Sequence, residues 1–184
     1  MRLAREALGA NLAALARAAA RQPARGGLGG VIAGAGSPLI ERARPAMEAM
    51  DAWLRRGGAS IPPRAGALIG LGPGLTPSGD DYLAGLMIGL RATGNRTAAA
   101  ALWRWLEPQA ATLTSAISGA HLAAAARGEV HEALHACVAA LLGAQPARGG
   151  VRWKFLLSRL DAVGHCSGRD GLAGVVAVAR HRLG

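Results

Sequence analysis

Apolar positions recur along this chain at helical spacing, and no stretch beyond a few residues alternates as a half-buried strand would. Leu3, Ala7, Leu8, Leu12 and Leu15 share one face of a segment running from Arg2 to about Arg21, which ends before Pro23 and the glycines at 26 and 27. Gly26 to Gly36, around Val31 and Ile32, reads as a flexible turn region. Pro38 after Ser37 and Pro45 after Arg44 are each placed to start a helix. Its apolar face is Met47, Met50 and Leu54, and Gly57 and Gly58 stop it. A loop from Ser60 to Gly79 follows. Beyond it the pattern predicts helices over 78–92, 97–107, 112–127, 129–142, 151–163 and 168–182, with Thr97 and Ser167 as caps. β-Branched residues are few and connections short, so the expected fold is an all-α, antiparallel bundle. It forms one domain over 1–184, with N-terminal helices over 1–58 and a core over 66–184.

Composition sharpens that picture. The chain has 184 residues, enough to bury a core without disulfides, and it carries 27 glycines and an excess of alanine against four Trp, one Tyr and one Phe. Such a core is made of closely approaching helices. The 21 basic and 11 acidic residues give a formal charge of +10, but the arginines are spread along the whole length, Lys154 is the sole lysine and no basic run occurs. Without a basic cluster or stacking aromatics, a nucleic-acid partner is not expected. Arg2, Arg5, Glu6 and Arg17 interrupt the first apolar stretch, which argues against a signal peptide or a membrane span. Cys137 and Cys166 show no pairing pattern, as in a reducing compartment, and the expected location is the cytoplasm.

The chemistry concentrates in a repeat. Ser78-Gly-Asp-Asp-Tyr-Leu-Ala-Gly-Leu-Met-Ile-Gly-Leu-Arg91 lies over Ser167-Gly-Arg-Asp-Gly-Leu-Ala-Gly-Val-Val-Ala-Val-Ala-Arg180, with half the positions identical. Each copy reads as a helix start, with Ser78 or Ser167 as N-cap and Asp81 or Asp170 reaching back to it. Gly85 and Gly174 fall on the same face as those aspartates and permit close approach, so the two helices are expected to cross near their N-termini about an approximate two-fold axis. Two converging N-termini offer backbone N–H groups and positive dipole ends to an anion. The loop Gly70-Leu-Gly-Pro-Gly-Leu-Thr-Pro-Ser-Gly79 could close on such a ligand through Gly72, Gly74 and Gly79, with Gly168 in the equivalent place of the second copy. It is neither a P-loop nor a dinucleotide fingerprint. The bland reading is that these are tight caps for packed helices. Asp80, Asp81 and Asp170 also admit a hard cation such as Mg²⁺; if Asp81 and Asp170 serve their caps, Asp80 alone is left for it. Thr76 and His165 stand at the same repeat position, two residues before each serine, where a hydroxyl and an imidazole can orient a substrate or move a proton.

Two further motifs compete. His131-Glu132-Ala-Leu-His135 matches H-E-x-x-H, in which two histidines on one helical face hold zinc beside a glutamate; the alternative is the wet face of an amphipathic helix. Gly164-His-Cys-Ser-Gly168 spells a nucleophile elbow around Cys166 but lacks the strand that an elbow needs, so Cys166 reads as a small buried residue near the cap. His121 and His181 read as helix-surface histidines.

The string Gly70 to Gly85, then Thr112-Leu-Thr-Ser-Ala-Ile-Ser118 and Gly164-His-Cys-Ser-Gly-Arg-Asp170, resembles the signature of a bacterial family long filed as a domain of unknown function. One branch of that family is a subunit of oxamate carbamoyltransferase in anaerobic allantoin breakdown. The resemblance runs from about Leu68 to Gly184. It implies a subunit of a multi-protein enzyme that interconverts oxamate plus carbamoyl phosphate with oxalurate plus phosphate, and so small anionic ligands and protein partners. The matching positions are Gly72, Gly74, Thr76, Ser78, Asp80, Asp81, Ser118, His165, Ser167 and Asp170. Position 166 is more often serine in the family, and other members carry a further β-rich region ahead of the shared segment. The expected roles are therefore these: Thr76 and His165 orient the ligand, Asp80 accepts a proton or helps hold Mg²⁺, and the remaining positions with Gly79 and Gly168 bind the anion. A non-catalytic interaction subunit is the alternative.

Overall fold

Two helices of this molecule are buried almost all round, and the rest of the chain is arranged to bury them. The computed structural model describes residues 2–57, 60–143 and 149–183. In chain order it forms α1 (Arg2–Arg21), a 3-10 turn (Gly29–Ala33), α2 (Pro38–Arg55), a second 3-10 turn (Pro63–Leu68), α3 (Ser78–Ala92), α4 (Arg96–Leu113), α5 (Ala116–Arg127), α6 (Glu132–Leu142), α7 (Gly149–Asp161) and α8 (Ser167–His181). Among the described residues there is no strand, as the missing period-two pattern required. No helix of the described residues is long and apolar enough to cross a membrane.

The central pair is α3 and α8. Only Ala84, Arg91 and Ala92 of α3 escape burial, and only Ser167, Ala177, Arg180 and His181 of α8. A helix apolar on all faces belongs inside. α4 and α5 flank α3; α2, α6, α7 and the Gly29–Ala33 turn flank α8; α1 closes the outside against α6 and α7.

The crossing of α3 and α8 is backbone on backbone. A Cβ on Gly85 would fall 1.9 Å from the Gly171 carbonyl oxygen, and one on Gly174 would fall 2.1 Å from that of Tyr82. In the repeat, Tyr82 aligns with Gly171 and Gly85 with Gly174, so the two contacts are exchanged copies of each other. Farther along, Gly89 packs on Val178, its own counterpart. The expected close approach and its two-fold character are therefore met in the contacts themselves.

Several boundaries differ from the sequence reading, each for a local reason. Asn95, not Thr97, caps α4, its side chain accepting from the Ala98 N–H at 3.1 Å. The same helix runs through Pro108 to Leu113, and the break falls at Thr114–Ser115, where the Ser115 hydroxyl caps α5 by accepting from Ser118 N–H at 3.0 Å. Gly128, at φ +92°, ends α5, and α6 begins only at Glu132. The Gly26–Gly36 segment is more ordered than a flexible turn, for it includes the 3-10 turn with Leu28 and Ile32 buried in the core.

Candidate functional site

The N-termini of α3 and α8 meet where the repeat predicted, but the caps are not those expected. Pro77 and Cys166 are the N-cap residues, neither with a side-chain cap, and Ser78 and Ser167 are the first helical positions. The capping boxes assigned to Ser78/Asp81 and Ser167/Asp170 do not form. The aspartates find different surroundings because tertiary neighbours outcompete the local cap.

Asp80 is 1% exposed. Its Oδ1 accepts from the Gly70 N–H at 2.9 Å, and its Oδ2 accepts from the hydroxyls of Thr114 and Ser118, the latter at 2.7 Å. It ties the start of the glycine-rich loop to the α4–α5 junction. With both oxygens taken inside the protein, Asp80 is placed as a clamp rather than as the free carboxylate expected for Mg²⁺ or a proton, and Ser118 is its partner.

Asp170 is fully buried. Its Oδ1 accepts from the backbone N–H groups of Leu28 and Gly29, both at 2.7 Å. Gly27, at φ +69°, makes the approach possible, since a Cβ there would sit 2.3 Å from the carboxylate. Burial pushes the Asp170 carboxyl above its ordinary range, against the opposing pull of the Ser78 hydroxyl and these amides.

Asp81 is different. It is 8% exposed and lines a cavity, one of its oxygens is buried without a hydrogen bond, as Asp170 Oδ2 is too, and burial pushes its pKa up to about 7. The Ser167 and Thr76 hydroxyls favour its charged form, while Asp170 and Asp80 oppose it. Thr76 Oγ1 and Ser167 Oγ lie 2.8 Å apart and join the glycine-rich loop to the start of α8. Ser78 Oγ faces Cys166 Sγ at 3.7 Å on the neighbouring side.

Asp81, Thr76, Ser167 and Gly168 line a cavity of about 550 Å³, whose other wall comes from α5, α6 and the end of α7. Ala84, Leu134 and Val163 make it largely apolar, and His121, Glu129 and His131 stand at its polar side. These three were not foreseen as a group: His121 belongs to α5 and Glu129 and His131 to the α5–α6 turn, and only the fold brings them over Asp81. A carboxyl poised near neutrality in a mostly apolar cavity, beside two hydroxyls, can exchange a proton with a bound molecule and hydrogen-bond its polar end.

Other expected residues fall elsewhere. His165 is exposed and does not line the cavity. Gly79 and Gly168 pack against the carbonyls of Leu68 and Leu160; Gly72 lies against Ser78, and Gly74 faces open space. The backbone N–H groups of Gly79, Asp80 and Asp81 already bond to Leu71 and Pro77 carbonyls, so the start of α3 is occupied by the protein itself. His131 is the N-cap of α6, not a position on its helical face, and its Nδ1 accepts from the Ala133 N–H at 3.1 Å. Glu132 pairs with Arg159 at 3.1 Å in solvent. The zinc reading of His131-Glu132-His135 thus loses its geometry, and among the described residues no group of three or more His, Cys, Asp or Glu side chains is placed to hold a metal. Burial and Asp170 push the Cys166 thiol up to about 11, away from a thiolate nucleophile.

No curated protein and no solved structure matches this chain. The family model described as oxamate carbamoyltransferase subunit AllH matches residues 68–179. The match spans the clamp, the α3–α8 crossing and every residue named around Asp81, and on it the chain belongs to the family of the oxamate carbamoyltransferase subunit AllH.

Proposed function

We propose that this protein is a subunit of a carbamoyltransferase-type complex and binds a small anionic ligand of the carbamoyl phosphate or oxamate kind in the cavity between the starts of α3 and α8. The observation that carries this reading is Asp81: a carboxyl with a pKa raised to about 7, at the wall of a 550 Å³ cavity, next to the paired hydroxyls of Thr76 and Ser167. Carbamoyl transfer to an amide nitrogen forms one N–C bond, breaks the C–O bond to phosphate and releases the amide proton. Asp81, in its ionised form, is the acceptor for that proton, and Thr76 and Ser167 hold the ligand's polar end. The proton role assigned to Asp80 from sequence passes to Asp81, since Asp80 is sealed. Ligand charge is met at the α8 end, where Ser167 and Gly168 line the cavity, because the amides at the start of α3 are already bonded.

Membership in a subunit family supports protein partners, and the surface has a place for one. Leu75, Leu113 and Ile117 are exposed around the contact of the Ser115 hydroxyl with the Leu75 carbonyl, beside the loop that carries Thr76. This patch also favours a second reading, an interaction subunit whose site is completed only by its partner.

Calorimetric titration of the isolated chain with carbamoyl phosphate, oxamate and phosphate at pH 7, in buffers of different ionisation enthalpy, tests both. An anion beside Asp81 raises its pKa further, so binding takes up a fraction of a proton. Asp81→Asn is expected to abolish that uptake. Binding that appears only after a partner subunit is added supports the second reading, and uptake unchanged in Asp81→Asn refutes the role given to Asp81.

A further inference from the structure

A second cleft, of about 890 Å³, lies between α2, α8 and the Gly29–Ala33 turn, with Tyr82, the residue after Asp81, at its base. Its charged lining is regular. Arg44, Glu48, Asp51 and Arg55 follow one another at helical spacing along a single face of α2, and Arg180 and His181 face them from the end of α8.

The outermost of these charges is used: Arg44 is held by Glu41 through two bonds of 3.0 and 2.6 Å. Arg180 gives one N–H to the Ile32 carbonyl at 3.3 Å and keeps the rest of its fork. Among the described residues, Glu48, Asp51, Arg55, His181 and the Tyr82 hydroxyl take part in no side-chain hydrogen bond. Asp51 is partly buried; burial pushes its carboxyl up, and Arg55 and Arg180 pull it back. Two acids and two arginines thus stand within electrostatic range around one cleft without closing on each other. Asp51 and Arg55 could pair at i, i+4 on the helix surface and do not. The floor is apolar, with Ile40 and Met47 from α2 and Ala173 and Ala177 from α8 leaving room above Tyr82.

An anion alone meets Glu48 and Asp51 here, and a cation alone meets Arg55 and Arg180. A molecule bearing both charges at short separation satisfies both walls. We propose that this cleft is a binding site for a small zwitterion, an amino acid with an apolar side chain. Its ammonium group lies against Asp51 and Glu48, its carboxylate against Arg180 and Arg55, and its side chain over Ile40, Met47 and Ala177. The site is separate from the Asp81 cavity and stands whether or not the carbamoyl-transfer reading does.

Calorimetry or amide NMR shifts on the full chain with leucine tests this. The controls are 4-methylpentanoate, which lacks the ammonium, and 3-methylbutylamine, which lacks the carboxylate. Leucine is expected to saturate the cleft, with each control at least about tenfold weaker, as the loss of a charge-assisted bond implies. Arg55→Gln, at an exposed position, and Asp51→Asn should each weaken leucine by about tenfold, and Ala177→Leu, which fills the cleft and keeps every charge, should weaken it as well. Asp81→Asn should leave it unchanged. The proposal is overturned if a control binds as well as leucine, if leucine, valine, methionine and phenylalanine all fail to bind, if Arg55→Gln and Ala177→Leu are both without effect, or if Asp81→Asn removes binding.

Discussion

The starts of α3 and α8 carry the same Ser-Gly-x-Asp sequence and the same close crossing, yet their aspartates end in opposite circumstances. Asp170 is sealed and given two backbone donors from Leu28 and Gly29. Asp81 is given hydroxyls that also face a cavity, while each of the two aspartates keeps one buried oxygen unbonded. The preceding position diverges with them. Asp80 holds Gly70, Thr114 and Ser118, whereas its counterpart Arg169, 2% exposed, forks onto Asp161 at 2.7 and 2.9 Å and fixes the ends of α1 and α7. One copy became an anchor for the N-terminal helices; the other stayed open. A motif of this kind specifies a helix start and a close crossing, and the donors around it decide which carboxyl is chemistry and which is architecture.

The largest effect tests what the copies share. Gly85→Ala and Gly174→Ala each drive a methyl into a backbone carbonyl that cannot rotate away, so both should cost about 3 kcal/mol or more, and by similar amounts. Denaturant unfolding of the two variants measures this, and a large inequality would break the two-fold picture of the crossing. Next comes the difference between the carboxylates. Asp170→Ala leaves the Leu28 and Gly29 amides unpaired inside the protein and should be about 2 kcal/mol more destabilising than Asp81→Ala, which removes no amide's partner. Equal losses would mean that Asp81 is an anchor as well.

The smallest effect is in pH. The Asp81 pKa lies above its unfolded value, so between about pH 4 and pH 7 the native state binds more protons than the unfolded chain, and stability falls as pH rises through that window. Water reaching the cavity screens the effect to about 1 kcal/mol. Asp81→Asn should flatten that part of the stability profile and leave the contribution of Asp170 in place. A profile with the same slope in wild type and Asp81→Asn would remove the contrast between the two groups.

How far the chain could be read in advance follows from where each interaction is encoded. Helical periodicity and the repeat are local, so the all-α bundle and the α3–α8 crossing were legible, down to Gly85 and Gly174. The caps were not. Ser78 with Asp81 and Ser167 with Asp170 have the right spacing for capping boxes, but Asp81 meets the hydroxyls of Ser167 and Thr76 and Asp170 the amides of Leu28 and Gly29. Ser167, Leu28 and Gly29 lie far along the chain from the aspartates they serve. The same holds for Gly27, whose signal was present as a glycine cluster but whose partner could not be named. His131 illustrates the reverse error: a short pattern with the spacing of a metal site, in which the first histidine caps the helix instead of riding on it.

The meeting of Thr76 with Ser167 joins positions 91 residues apart, and the glycine crossing beside it brings together helices equally distant in sequence. Such contacts require a long loop to close before they return any free energy. The helices formed by local contacts can therefore condense first, with the cavity around Asp81 arriving late, once α8 has docked along α3. Ligand added during refolding should then leave the early phases untouched and act only on the slow one, making the binding site a reporter of the last step of folding.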